Sequence, residues 1–273
     1  MKGKLFKTTR RTGCVLGKGG PGKTTVSMGL ATGIPIVAKQ AGIEAKTLLI
    51  DNDPQGNASY AYQANTTDAP TMYHVFSGDV DIHDVIQHTP QGDIIPANQL
   101  LTKTDGLFEN YLEAVDRLRD ELDKLEGEYS HIIIDNQPLI GGLLTTQALA
   151  ACTDLVIPVT ADVFSLQGLE RLQQAIVSIR RHVNPNLAIS GILLNKFNPR
   201  FNLSGGLMQS LSKWAEMNDT KVFDTYIREG VSVREAQTVR QNLFTYAPHS
   251  NPALDFQKFI KTEYLKIKEN NHG

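Results

Sequence analysis

The stretch from Gly17 to Thr25, G-K-G-G-P-G-K-T-T, constrains the fold more than any other part of the chain. It fits the pattern G-x-x-x-x-G-K-[ST], in which glycines let the backbone wrap around an anion and point its N–H groups inward. An apolar run, Cys14 to Leu16, precedes it, and a helix-compatible run, Val26 to Leu30, follows it. Because this order of strand, loop and helix places an anion at a helix N-terminus, the stretch predicts a nucleotide phosphate site.

Individual residues of this loop have distinct expected roles. Lys23 should reach the β- and γ-phosphates, and Thr24 should offer its hydroxyl to a magnesium ion that bridges them. Pro21 has no N–H group, so one potential donor to the phosphates is missing. The predicted nucleotide-binding residues of the loop are Gly17, Lys18, Gly19, Gly20, Pro21, Gly22, Lys23, Thr24 and Thr25.

Two apolar runs end in acidic residues. Thr47 to Ile50 is followed by Asp51 and Asp53, and Tyr129 to Ile134 is followed by Asp135. Carboxylates at the carboxyl ends of parallel strands lie where ligands bind in doubly wound sheets. Taken alone, each acid would most often cap a turn. Beside a phosphate loop, Asp135 is predicted to hold a water bound to magnesium.

Strand patterns alternate with helix patterns along the rest of the chain. The clearest helix, Leu107 to Leu125, has apolar residues at three- and four-residue intervals. Such alternation predicts an α/β fold, a doubly wound, mostly parallel sheet flanked by helices on both faces. Ile34 to Lys46 is expected to connect the first helix to the next strand. Further strands are expected at Leu155 to Thr160 and Leu187 to Leu194, and further helices at Phe164 to His182 and Pro252 to Lys268.

The chain is expected to form one domain. Residues 1–11 carry five basic residues and no acid, which predicts a solvated basic arm, and residues 12–273 are expected to form the domain itself. Cys14 and Cys152 lie in apolar surroundings, which favours buried thiols in a reducing compartment. No apolar run approaches the length of a membrane span, and the N-terminus lacks the hydrophobic stretch of a secretory signal. A soluble, cytoplasmic protein is therefore expected.

Three motifs, in the same order, resemble those of one family. They are K-G-G-x-G-K-T-T beginning at Lys18, D-x-D-P-Q-G-N beginning at Asp51, and a strand end I-P-A-N closing at Asn98. They are similar to those of ParA/Soj-type partition ATPases, P-loop NTPases of the ParA/MinD group with a deviant Walker A motif. The chain departs from the family at Pro21, where valine is usual, and at residues 136–138, where Asn-Gln-Pro replaces Cys/Thr-Pro-Pro.

The resemblance implies ATP and Mg²⁺ as cofactors and an ATP-dependent homodimer. In the family, the residue at the position of Lys18 contacts the nucleotide of the opposing subunit. The residue at the position of Asp53 orients the attacking water, which makes Lys18 and Asp53 the expected catalytic residues of an ATPase that is slow without its partner. Asn195, at a predicted strand end, either contacts the adenine edge or caps its own loop. The expected metal-site residues are Thr24, Asp51 and Asp135.

The resemblance also implies a function in DNA partition, or segregation. The ATP-bound dimer would bind DNA without regard to sequence, and a ParB-type centromere-binding protein would stimulate hydrolysis. The protein would then be nucleoid-associated when ATP is bound. Glu229 occupies the position of the family's arginine, which moves the expected DNA contacts to neighbouring arginines. The candidates are Arg200, Arg228, Arg234 and Arg240.

Two other functions remain open. A MinD-like, membrane-associated positioning ATPase would lay the Lys-rich C-terminal helix on anionic lipid. Docking of that helix on the core is favoured, so membrane binding is not expected. A reductase component or an amide-forming synthetase on the same scaffold would need cluster cysteines or a substrate pocket. The chain has only two cysteines, which disfavours a reductase component with a metal cluster. An amide-forming synthetase would release a product besides ADP and phosphate.

Overall fold

A seven-stranded sheet lies at the centre of the molecule. The computed structural model describes residues 6–162, 164–198 and 205–267 of the 273-residue chain. Its strands are β1 (Arg10–Cys14), β2 (Thr47–Asn52), β3 (Gln87–Thr89), β4 (Gly92–Ile95), β5 (His131–Asn136), β6 (Asp154–Val159) and β7 (Ala188–Leu194). Their order across the sheet is β3-β4-β2-β5-β1-β6-β7. All neighbours are parallel except β3 and β4, which pair antiparallel at one edge.

Helices connect the strands. A 3₁₀ segment, Gln99–Leu107, precedes α5, so the helix expected over Leu107 to Leu125 begins later than its apolar pattern suggests. The described helices are α1 (Lys23–Gln40), α2 (Asn57–Ala61), α3 (Met72–Ser77), α4 (Ile82–Val85), α5 (Tyr111–Asp123), α6 (Leu143–Ala151), α7 (Phe164–His182), α8 (Gly205–Met217), α9 (Val231–Thr238), α10 (Leu243–Tyr246) and α11 (Asn251–Phe259).

Both faces of the sheet are covered, because successive strand residues point to opposite sides. Ile133 of β5 lies in an apolar core with residues of α1 and α11. Its neighbours Ile132 and Ile134 lie in a second core with residues of α5, α6 and α7. The doubly wound α/β fold with a mostly parallel sheet is therefore confirmed.

Helix α1 extends through most of the segment that was expected to be a connection. It continues to Gln40 and contains Pro35, a residue that removes one helix hydrogen bond. The carbonyl four residues earlier, Ala31 O, accepts instead from the Thr47 hydroxyl on β2 at 2.6 Å. This contact supplies the partner that the proline takes away, and residues 34–40 of the expected connection are helical.

The basic arm expected over residues 1–11 is shorter than predicted. Strand β1 begins at Arg10, and Arg11 is only 6% exposed. Arg10 pairs with Asp154 at 2.6 Å, and Arg11 pairs with Glu126 at 3.0 Å. These ion pairs let two basic residues occupy a central strand. Residues 1–5 lie outside the described part of the chain.

The C-terminal helix docks on α1, as expected. Phe256 and Phe259 of α11 are fully buried. A Cβ on Gly29 of α1 would lie 2.6 Å from the Phe256 ring, so the absent side chain permits the close approach. A π-helical turn, Ile260–Tyr264, then continues the buried face. Among the described residues, no helix is long and apolar enough to span a membrane.

Candidate functional site

The phosphate-loop segment joins β1 to α1. Gly20 and Gly22 have φ angles of 88° and 86°, in the left-handed region that favours glycine. Gly22 has a second constraint, because a Cβ there would lie 2.2 Å from Asn195 Nδ2. Helix α1 begins at Lys23, and the first N–H groups of an α-helix lack partners within the helix. The loop and the helix start together form a backbone site suited to an anion.

Lys23 lies inside this loop. Its Nζ donates to Lys18 O at 3.0 Å, and the residue is 7% exposed. Burial lowers the pKa of Lys23, while the negative charges of Asp135 and Asp53 act in the opposite direction. The ammonium group is thus held inside the loop by its contact to Lys18 O, where a phosphate in the loop would be within its reach.

Asp51 and Asp135 lie side by side at the carboxyl ends of β2 and β5. They are register partners in the sheet, and both are buried. Burial, together with the neighbouring charge of Asp51, raises the pKa of Asp135 to about 7, although hydrogen bonding by Thr24 and Ser27 acts in the opposite direction. Burial also raises the pKa of Asp51 to about 6. Two buried carboxylates at one sheet edge favour the binding of a cation between strands and phosphates.

The residues present fit a magnesium ion. Asp135 Oδ1 accepts from the Ser27 hydroxyl at 2.9 Å. Asp135 Oδ2 is buried and accepts no hydrogen bond of ordinary geometry among the described residues. A buried carboxylate oxygen without a donor is costly unless it is neutralised or coordinated. Oxygen donors from Asp135 and Thr24 are the ligand type that Mg²⁺ prefers.

Asp51 has a further role that its sequence position did not suggest. Its Oδ2 accepts from the Ser59 N–H at 2.8 Å and from the Ser59 hydroxyl at 2.7 Å. Its Oδ1 accepts from the Asp53 N–H at 3.2 Å. Both oxygens are therefore engaged, and Asp51 anchors α2 and the turn that carries Asp53.

Asp53 lies on the turn between β2 and α2. Its Oδ1 accepts from the Gln55 N–H at 2.9 Å, and its carbonyl accepts from the Gly56 N–H at 2.9 Å. Gly56 has φ of 64°, and a Cβ on it would lie 3.2 Å from Ala97 O. The turn thus packs against the strand end I-P-A-N, which keeps Asp53 near the phosphate loop while its side chain remains partly exposed.

Lys18 lies on the outer side of the loop. Its Nζ forms a bidentate ion pair with Asp162, and it also lies 5.6 Å from the centre of the Phe164 ring. Phe164 is 65% exposed. The ammonium group is therefore close to an exposed apolar surface rather than inside its own site.

Asn195 and Lys196 hold the loop from the end of β7. Asn195 Nδ2 donates to Pro21 O at 2.8 Å, and Lys196 Nζ donates to Gly20 O at 2.9 Å. This contact to the phosphate loop is neither of the two roles considered for Asn195, the adenine contact and the cap of its own loop. A cavity of about 150 Å³ lies beside these residues and is lined by Thr25, Asn195, Lys196, Ile227, Arg228, Glu229, Gly230, Val233, Arg234 and Gln237.

Two of the three DNA-binding candidates that the structure describes, Arg228 and Arg234, line the same cavity, whereas Arg240 contacts Tyr60. Arg228 forms a bidentate ion pair with Asp255, at 2.7 and 2.8 Å. Arg240 lies over the Tyr60 ring, with 4.6 Å between Cζ and the ring centre. Arg234 is exposed beside the cavity. Arg200 lies outside the described residues.

Sequence reasoning missed three residues of the site. Asp162 could have been found from the sequence, because it lies shortly after the buried strand β6. Asp51 and Asp135 were recognised from the same kind of position, at the ends of β2 and β5. Lys196 carries no motif signal, although it directly follows Asn195. Ser59 lies on a short helix, and nothing in its local pattern indicates the contact to Asp51.

A family model and two named proteins match the sequence of this chain. A family model described as an AAA domain matches residues 14–189. Over 249 residues the chain is 32% identical to the sporulation initiation inhibitor protein Soj of Bacillus subtilis, an alignment that covers 89% of this chain and 94% of Soj. Over 234 residues it is 33% identical to the chromosome partitioning protein ParA of Myxococcus xanthus, covering 84% of this chain and 78% of that protein.

A solved structure has the same fold. The septum site-determining protein MinD of Pyrococcus horikoshii, complexed with Mg-ADP, superimposes with a TM-score of 0.72 at 22% identity, covering 92% of this chain and 93% of MinD. At that identity the likeness concerns the fold alone. The two sequence relatives and the family model carry the assignment, and the chain therefore belongs to the ParA/Soj family of P-loop ATPases.

Proposed function

We propose that this protein is an ATP-dependent DNA partition ATPase. One observation carries the proposal. Lys23 donates to Lys18 O inside the phosphate loop, and Asp51 and Asp135 lie side by side at the carboxyl ends of β2 and β5. Relatedness to proteins named for chromosome partitioning supports the choice of cellular role.

ATP would bind with its phosphates in the loop of residues 17–25. The backbone N–H groups at the start of α1 and the ammonium of Lys23 would hold the β- and γ-phosphates. Asn195 and Lys196 would keep the loop in its binding shape through their contacts to Pro21 and Gly20. The cavity beside Thr25 would receive the base.

Mg²⁺, when bound, would supply positive charge that offsets the negative charge of the phosphates. Thr24 and Asp135 are the residues that would hold it. Asp51 would contribute negative charge from the neighbouring strand and keep α2 in place through Ser59.

Hydrolysis would produce ADP and phosphate by attack of water on the γ-phosphate. Asp53 would orient that water by accepting a hydrogen bond from it. The Asp53 side chain is partly exposed on a turn, so its alignment depends on how firmly α2 is held. Slow turnover in the isolated protein, and stimulation by a ParB-type centromere-binding partner, follow if the partner completes that alignment.

The ATP-bound form would be a homodimer. Lys18 lies at the rim of its own site, and the exposed Phe164 and Leu139 are apolar residues of the kind that interfaces cover. Lys18 of each chain would contact the nucleotide of the other. Nucleotide would thereby control association of the two chains.

The dimer would bind DNA through phosphate contacts that do not depend on base sequence. Pairing two weak surfaces raises the avidity without any new type of contact. Arg234 is the exposed candidate among the described arginines. ATP binding would place the protein on the nucleoid, and hydrolysis would release it.

Fluorescence anisotropy with a random-sequence DNA duplex tests the proposal. We expect tight binding with ATP and weak binding with ADP, and an affinity that falls steeply with salt because counterions are released from DNA. Co-sedimentation with phosphatidylglycerol-containing vesicles is the parallel assay. ATP-dependent binding to vesicles but not to DNA would refute partition and favour a MinD-like positioning ATPase, although α11 buries its apolar face.

A further inference from the structure

Arg240 lies in a conformation that its surroundings must maintain. It follows α9, and its φ is 55°, in the left-handed region that non-glycine residues adopt infrequently. Such conformations persist where neighbouring contacts hold them. Helix α9 borders the candidate nucleotide site, because Gln237 Nε2 lies 3.3 Å from the Thr25 hydroxyl.

The contacts that hold Arg240 come from the segment after Asp53. Arg240 Nε donates to Tyr60 O at 2.8 Å, and its guanidinium lies 4.6 Å above the Tyr60 ring. In return, Arg240 O accepts from Gln63 Nε2 at 2.9 Å and from Gln91 Nε2 at 2.9 Å. Side chain and backbone of one residue thus join α9 to α2 and to the turn before β4.

Helix α2 is held from two sides. Asp51 holds Ser59 on the inner side, and Arg240 holds Tyr60 on the outer side. The carbonyls in the last turn of a helix lack partners within it, and a cation there is favourable. Because α2 begins just after Asp53 and Gly56, fixing its end also fixes the turn that carries Asp53.

We propose that Arg240 is a positioning residue for ATP hydrolysis, which holds α2 and thereby Asp53, and that it is not a DNA contact. The proposal rests on the proposed function in one respect, the role of Asp53. It reassigns a residue that the sequence marked as a DNA-binding candidate. Tyr60 engages Nε and one face of the guanidinium, and turning the side chain toward DNA would give up these contacts.

Amide hydrogen exchange in the nucleotide-free protein tests the contact itself. Arg240→Ala should raise the exchange of residues 53–64 by about five- to tenfold, since it removes both a hydrogen bond and a cation–π contact. Tyr60→Ala removes only the ring and should have a smaller effect. Arg240→Lys should not restore protection, because lysine lacks the planar fork. Arg119→Ala, which breaks a surface pair with Asp116 on α5, is the matched control.

Kinetics then separate positioning from DNA contact. Arg240→Ala and Tyr60→Ala should both lower kcat for ATP with little change in KM, and DNA affinity of the ATP state should stay near that of the wild type. A DNA contact predicts the reverse: lower DNA affinity in Arg240→Ala, rescue by Arg240→Lys, and normal behaviour of Tyr60→Ala. That pattern, or unchanged exchange of residues 53–64 in Arg240→Ala, would overturn the proposal. Because the exchange experiment needs neither ATP nor DNA, its result stands even if the proposed function fails.

Discussion

Lys18 and Asp162 form an ion pair within one chain, with Lys18 Nζ 2.6 Å from Asp162 Oδ1. Under the proposed function, the same ammonium contacts the nucleotide of a second chain. The internal pair must therefore open when the dimer forms. The side chains are 25% and 37% exposed, so solvent screens the pair and its contribution is modest.

Asp162→Asn should promote dimerisation with ATP. Asparagine keeps the acceptor that caps the Ser165 N–H but removes the charge that holds Lys18. Dimer formation opens two such pairs, so the midpoint concentration should fall by about two- to twentyfold. Analytical ultracentrifugation with a non-hydrolysable ATP analogue measures it. Asp116→Asn, which removes the same charge from a pair with Arg119, is the control, and equal midpoints in the two variants would argue against an internal restraint.

Lys23→Ala should abolish nucleotide binding. The variant removes the buried cation that the loop encloses, so the phosphates would lose the ammonium group supplied by their own loop. Calorimetric titration with Mg-ATP gives the affinity. Lys39→Ala, at the exposed far end of the same helix, should bind normally. Ordinary ATP affinity in Lys23→Ala would refute the assignment of the site.

Asp53→Ala should keep nucleotide binding but lose turnover by at least about tenfold, since orientation by a general base typically contributes more than that. The ATP-bound dimer should then remain on DNA. Phosphate release and the lifetime of the DNA complex are the two measurements. Asp68→Ala, an exposed carboxylate in the loop after α2, serves as control. Unchanged turnover in Asp53→Ala would remove this residue from the mechanism.

His131 should make the fold sensitive to acid. Burial, together with the charge of Arg10, lowers the pKa of His131 to about 4. The unfolded chain therefore binds a proton between about pH 6.5 and pH 4 that the folded chain does not, so stability falls as the pH drops through this window. At pH 5 the loss from this residue is about 2 kcal/mol. Urea unfolding at pH 7.5 and pH 5 should show a smaller loss in His131→Phe, and equal losses would contradict the assignment.

Helices and strands with a regular spacing of apolar residues could be predicted from the sequence. Helix α7 runs from Phe164 to His182 as expected, because its apolar residues recur at helical spacing. The phosphate loop and Asp135 were recognisable because a short motif or a strand end carries each of them. By contrast, the start of β1 at Arg10 depends on an ion pair with Asp154, a residue far away in the chain.

Contacts between distant residues explain what the sequence could not reveal. Helix α1 passes through Pro35 because Thr47 satisfies Ala31 O. The contact of Arg240 with Tyr60 joins segments separated by 180 positions, and neither residue carries a motif. From the sequence alone, Arg240 could be considered only as a candidate for DNA binding, because its contact with Tyr60 is visible only in the structure.

Light scattering after size-exclusion chromatography shows whether ATP controls the association of two chains. With Mg²⁺ and a non-hydrolysable ATP analogue, we expect twice the 30.1 kDa mass of one chain, and with ADP the mass of a single chain. Single chains with the analogue at every workable concentration would rule out an ATP-dependent dimer.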